Sequence, residues 1–164
     1  MKRIAITVLL FIIQFAVFAQ DITGTWKTGH SEDGASFTET TAFLPDGTAK
    51  SCVSFSMTLS APSKDGTSST LDFKYYIQYN SSYKCAEGVL EMRICAESIE
   101  VETSMPEGFP AGPFNMIKNS TVKEIKKEAK KPQVYKVVSV SPTELVLLDT
   151  SDPKASPDKY SRVE

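Results

Sequence analysis

This sequence of 164 residues contains few combinations of side chains that could carry out acid–base, nucleophilic or metal chemistry. His30 is the only histidine, and it lies in a polar stretch that is typical of a solvated turn. A catalytic triad or a histidine-based metal site would therefore have to include His30 itself. We interpret His30 as a solvated residue. We predict that the protein is not an enzyme and has no catalytic residues, no metal and no cofactor.

Two glutamates have the spacing of paired catalytic carboxylates. Glu100 and Glu102 would lie on one face of a strand, roughly 7 Å apart, which is within the range used by glycoside-cleaving carboxylate pairs. Ile99 and Val101 alternate with them, however. This alternation is typical of a strand with one apolar and one hydrated face, so we interpret the two glutamates as the hydrated face.

The sequence contains three cysteines, Cys52, Cys85 and Cys95. Three pairings are conceivable, and each leaves one thiol unpaired. Either two of the cysteines form one structural disulfide, or all three are small residues that pack in the interior, and both interpretations remain open. Lys84, beside Cys85, is the one basic neighbour that would favour a reactive thiolate.

The N-terminus has the pattern of an export signal. A cationic start at Met1-Lys2-Arg3 precedes an apolar run from Ile4 to Phe18, and the small residue Ala19 suits a cleavage site. We predict a signal peptide over residues 1–19, cleaved after Ala19, and a single domain over residues 20–164 in the periplasm or outside the cell. The apolar run is short for a membrane span and has no counterpart downstream, so no stable membrane span is expected.

The charge balance disfavours a nucleic-acid partner. The chain has 18 lysines and arginines against 20 aspartates and glutamates, a formal net charge of −2. Removal of the predicted signal would take away Lys2 and Arg3 and make the domain more acidic. Nucleic-acid binding normally requires a clustered basic surface. The lysines between residues 123 and 131 alternate with acids and are interpreted as a solvated helix face.

Short alternating runs of apolar and polar residues, separated by turn signals such as Asp46-Gly47, predict an all-β antiparallel domain. A region rich in proline and glycine over residues 106–113 predicts irregular backbone. The next residues, from Asn115 or Asn119 to Lys131, predict one helix that Pro132 ends. The predicted strands span residues 22–27, 37–43, 48–59, 71–79, 83–85, 89–94, 99–103, 134–140, 145–148 and 160–163.

Gly24-Thr25-Trp26 at the start of this domain, the meander of strands that follows and Arg162 near the C-terminus resemble the lipocalin-like barrels of small exported bacterial proteins. The resemblance implies an antiparallel up-and-down barrel. The strand pattern gives this barrel eight to ten strands, and the predicted helix before the last strands is an insertion that departs from the lipocalin pattern. It also implies that Gly24, Trp26 and Arg162 close one end of the barrel, with the arginine packed on the indole ring.

Two functions follow as hypotheses. In the first, a hollow barrel binds a small, mostly apolar ligand. In the second, a barrel filled by its aromatic residues displays loops, such as 61–69 and 105–114, to an envelope or secreted protein partner, as inhibitor barrels do. A barrel of eight strands is wide enough to be either filled or hollow. The predicted cavity wall consists of the residues on the apolar strand faces: Phe55, Met57, Phe73, Tyr75, Ile77, Leu90 and Met92.

Overall fold

The computed structural model describes residues 21–32, 34–62, 68–104 and 111–163. The predicted signal peptide lies outside these ranges. So do residues 63–67 and 105–110, which belong to the two loops that the display hypothesis invokes.

The described chain forms nine strands, one α-helix and a short 3-10 turn at Ala96–Ser98. The helix, α1, spans Ala111–Glu128 and precedes the last three strands. The strands are β1 Gly24–Glu32, β2 Ala35–Phe43, β3 Thr48–Pro62, β4 Ser68–Ala86, β5 Val89–Ile94, β6 Glu100–Ser104, β7 Gln133–Val140, β8 Glu144–Asp149 and β9 Asp158–Val163.

Eight of these strands close into an antiparallel barrel. Their order around the barrel is β1-β2-β3-β4-β5-β7-β8-β9, and β9 pairs back onto β1. The sixth strand pairs with β4 at Lys74–Gln78, while β5 pairs with β4 further along, at Ser81–Ala86. The predicted all-β barrel of eight to ten antiparallel strands with one inserted helix is confirmed.

Strand β4 is a single 19-residue element, whereas the sequence pattern predicted two strands separated near Asn80. The prediction was wrong because β3 pairs with β4 continuously, including the Lys50–Asn80 pair. The Asn80 carbonyl also accepts a hydrogen bond from the Cys95 amide at 2.9 Å. The polar Asn80-Ser81-Ser82 stretch therefore stays extended.

Strand β1 also continues beyond its predicted end at Lys27. It pairs with β2 as far as the Glu32–Ala35 pair, so residues 29–32, predicted to be a turn, are part of the sheet. The residues at this end of β1 are polar because the strand is exposed to solvent there.

The helix begins earlier than predicted, at Ala111, and includes Gly112 and Pro113. Proline is compatible with the first turn of a helix, because the amides there have no partner within the helix. Phe114 is buried, whereas Met116 is 75% exposed. In the described ranges, no helix combines the length and the apolar character needed to cross a bilayer.

Candidate ligand site inside the barrel

Trp26 lies at one end of the barrel, which we call the closed end, and is fully buried. Its Nε1 donates a hydrogen bond to the Ile22 carbonyl at 2.8 Å, so the one polar atom of the indole is satisfied. The Arg162 guanidinium lies 4.5 Å from the centre of the indole ring, and its Nη2 donates to the Thr23 carbonyl at 3.1 Å. A cation over an aromatic face contributes about 0.5–2 kcal/mol, depending on burial.

Gly24 makes the approach of Arg162 possible. Its φ of +126° is a conformation that side chains rarely allow, and a Cβ at this position would lie 2.6 Å from Arg162 Nη1. The structure thus brings together Gly24, Trp26 and Arg162, the residues that the resemblance assigns to the closed end.

The closed end contains a packed apolar cluster that is almost inaccessible to solvent. Its members come from all parts of the chain and meet inside the barrel: Ile22, Trp26, Phe43, Ala49, Leu90, Met92, Val137, Leu145, Leu147 and Tyr160.

A row of neighbouring side chains forms the upper boundary of this packed region. Cross-strand pairing aligns Trp26, Thr41, Ser51 and Tyr79 on the same face of β1 to β4. The Thr41 and Ser51 hydroxyls hydrogen bond to each other at 2.8 Å, and these residues are only 3% and 4% exposed. We call this row the floor.

Above the floor, the inward-facing residues become accessible to solvent. The next row on this face consists of Thr28, Glu39, Val53 and Ile77, which are half-buried. Because no ladder among β1 to β4 contains a register shift, these residues point to the same side as the buried Trp26.

The row above contains His30, Phe37, Phe55 and Tyr75. The three aromatic residues are again half-buried, and His30 is exposed. The ring centres of Phe55 and Tyr75 are 6.5 Å apart, and those of His30 and Phe37 are 5.5 Å apart. We call the inner face formed by these two rows above the floor the cup. Its surface is a mixture of aromatic and aliphatic side chains, with Glu39 and Thr28 among them.

Glu39 places a carboxyl group at the bottom of the cup. Its Oε2 accepts a hydrogen bond from Tyr160 Oη at 3.4 Å, and its Oε1 accepts one from Thr41 Oγ1 at 3.3 Å. Burial raises the pKa of Glu39 above its ordinary value, and the nearby charge of Asp158 acts in the same direction. Neither of the two ion pairs within the described ranges, Arg93–Glu91 and Lys127–Glu124, involves Glu39.

Three tyrosines surround the same carboxyl group. Burial, followed by the charge of Glu39, raises the pKa of Tyr79 to about 12. The same two causes, in the same order, raise the pKa of Tyr135 and of Tyr160. These phenols therefore stay protonated at neutral pH and can act as hydrogen-bond donors.

The predicted wall residues divide between the two halves of the barrel. Phe55, Tyr75 and Ile77 line the cup. Met57 belongs to the next row towards the open end of the barrel, where it is half-buried and pairs with the buried Phe73. Leu90 and Met92 instead belong to the packed cluster at the closed end. We therefore leave these two out of the cup wall.

Sequence reasoning missed Glu39 as a site residue, although the pattern contained a signal for it. Glu39 alternates with Phe37, Thr41 and Phe43, which places a carboxyl on the apolar face of β2. A buried carboxyl on such a face requires either a partner or a function.

A surface groove of about 630 Å³ lies beside the cup, between β1 and β9. These strands pair only at Thr25–Lys27 and Ser161–Val163, so the ladder stops where the groove begins. The groove is lined by Lys27, His30 and Lys159. Thr28, the cross-strand partner of Glu39, also lines it.

The other candidate residues do not assemble into a reactive site. Glu100 and Glu102 are exposed and Val101 is half-buried, as expected for a hydrated strand face. The three cysteines, all within the described part, are free thiols, and burial raises the pKa of Cys85. No three metal-ligating side chains gather within the described ranges.

Comparison with known proteins adds little to this geometry. No protein-family model and no curated protein matches the chain. A crystal structure of an uncharacterized protein from Bacteroides eggerthii DSM 20697 is similar to it with a TM-score of 0.41 and 10% sequence identity, covering 87% of this chain and 100% of the other. At that TM-score the similarity carries no functional information.

Proposed function

We propose that the protein is an exported, noncatalytic, lipocalin-like barrel that binds a small, mostly apolar ligand in the cup. The observation that carries this proposal is the change in exposure along β2, β3 and β4. Thr41, Ser51 and Phe43 are nearly inaccessible, whereas the residues of β2 to β4 in the two rows above the floor are half-buried. A barrel filled throughout its length would bury both halves alike.

The wall of the cup suits such a ligand. Apolar and aromatic side chains with a few polar groups among them are typical of small-molecule sites. The apolar surface of the cup comes from Phe37, Val53, Phe55, Tyr75 and Ile77. The competing hypothesis, a display module, depends on a filled barrel, and the half-buried rows favour the carrier.

Blocking the cup tests the proposal. We expect Ile77→Trp to weaken the binding of Nile red, a neutral apolar fluorophore, by at least about tenfold, because the larger ring occupies the space above the floor. Gln78→Trp is the matched control, since Gln78 is the next residue along β4 and is exposed on the outer face. Both titrations follow the rise in Nile red fluorescence. Equal binding by wild type and Ile77→Trp would refute a site in the cup.

Mass measurement tests export and cargo together. Protein recovered from the exporting cell should begin at Gln20, and native mass spectrometry should show an additional, lipid-sized or smaller mass bound to it. A chain that retains residues 1–19 would contradict export by signal cleavage.

A further inference from the structure

We propose that the cup selects ligands that carry a protonated amine, with Glu39 as the group that receives the ammonium. This inference rests on the proposed function, because it specifies the chemistry of the ligand that the cup binds.

The hydrogen bonding of Glu39 leaves room for a further donor. A carboxylate can accept about four hydrogen bonds. Tyr79 also hydrogen bonds to Glu39, and the bonds from Thr41 and Tyr160, at 3.3 and 3.4 Å, are longer than usual for a charged acceptor. An ammonium group carries three N–H donors and could supply a further, shorter hydrogen bond.

The charged groups that act on Glu39 and its tyrosines are acidic. Asp158 on β9 acts on Glu39 and Asp149 on β8 acts on Tyr135, whereas Lys27 and Lys159 line the groove beside the cup. A buried carboxylate without a counter-ion is costly. A cationic ligand offsets that cost, whereas an anionic ligand would add to it.

The row above Glu39 is rich in aromatic side chains. Phe37, Phe55 and Tyr75 lie one row nearer the mouth and on the same inner face. Aromatic faces attract cations, and they also bury an apolar body. The ligand class that satisfies both parts of the cup is an amine attached to a small apolar or aromatic group.

The partial exposure of the row above the floor also supports access of a ligand to this residue. Thr28, Val53 and Ile77, which share the row with Glu39, are each partly accessible to solvent. Glu39 is itself half-buried, and it is not a member of the packed cluster.

A pair of isosteric probes tests the inference. We expect 2-phenylethylamine to bind the wild-type protein at least tenfold more tightly than 2-phenylethanol at neutral pH, measured by isothermal titration calorimetry. Glu39→Gln should abolish this preference, because the amide keeps the shape of the side chain but removes its charge. Glu102→Gln is the control, since Glu102 is exposed on the outer face of β6, and it should keep the preference.

The outcomes are separable from those of the Nile red experiment. Equal affinity for amine and alcohol, an undiminished preference in Glu39→Gln, or failure of both probes to bind would overturn the amine inference. In each case, Nile red binding that Ile77→Trp blocks would leave the proposed apolar site standing. The emission of the buried Trp26, unchanged between variants, would show that Glu39→Gln remains folded.

Discussion

Glu39 is the residue at which the proposed binding would compete with stability. Its carboxyl lies at the bottom of the cup, with long hydrogen bonds and acidic neighbours. Because burial raises its pKa, the protonated form is favoured in the folded state relative to the unfolded chain. Residues that weaken a fold in this way are common at binding sites, where the unfavourable environment is relieved by the ligand.

The raised pKa of Glu39 predicts a pH dependence with a definite sign. Between the ordinary value of 4.5 and the higher folded value, the folded protein binds more protons than the unfolded chain. Its stability should therefore fall as pH rises through this window, and level off above it. Glu39→Gln should lack this contribution and gain stability relative to wild type over the same window.

Urea denaturation at a series of pH values from about 4 to 8 measures this difference. Glu102→Gln, which removes an exposed carboxyl, is the control. A wild-type advantage that grows with pH would contradict the assignment of Glu39 as a carboxyl disfavoured by burial.

At the scale of elements, the closed end depends on how closely β9 approaches the start of β1. Trp26 and Arg162 are cross-strand partners, and the guanidinium reaches over the indole towards the Thr23 carbonyl. Gly24 lies beneath that guanidinium with a positive φ. Any side chain there would force the arginine away and strain the backbone.

Two glycine substitutions test this arrangement. We expect Gly24→Ala to destabilise the protein by about 1–3 kcal/mol, the usual range for a strained backbone position. Gly112→Ala is the matched control, because it lies in α1 and an added Cβ would meet nothing within 4 Å. Alanine should there be neutral or stabilising by up to about 1 kcal/mol. Equal effects in chemical denaturation would show that Gly24 has no special role.

The elements also show what periodicity can and cannot predict. Alternation identified β2, β5 and β7 closely, because one face of each strand is apolar. It divided β4 at Asn80, since the hydrogen bonds that keep Asn80 extended come from β3 and from Cys95, which are remote in sequence.

For the whole molecule, closure of the barrel by the pairing of β9 with β1 brings the residues of the candidate site together. Tyr160 on β9 reaches Glu39 on β2 although 121 positions separate them in the chain. Their proximity follows from the pairing of β9 with β1, which no local pattern specifies. The sequence pattern could therefore predict an apolar inner face that includes Phe55, Tyr75 and Ile77. It could not predict that the barrel is packed below Thr41 and Ser51 and that the two rows above them are more exposed.

The division of the barrel into a packed half and an open half is the central claim, and a methyl-resolved NMR titration tests it most directly. With 2-phenylethylamine at saturation, we predict intermolecular nuclear Overhauser effects to the methyl groups of Val53 and Ile77, which line the cup. None should reach Leu90, Leu145 or Leu147, which lie in the packed cluster. Contacts confined to the outer surface, or contacts with the leucines of the closed end, would contradict the account.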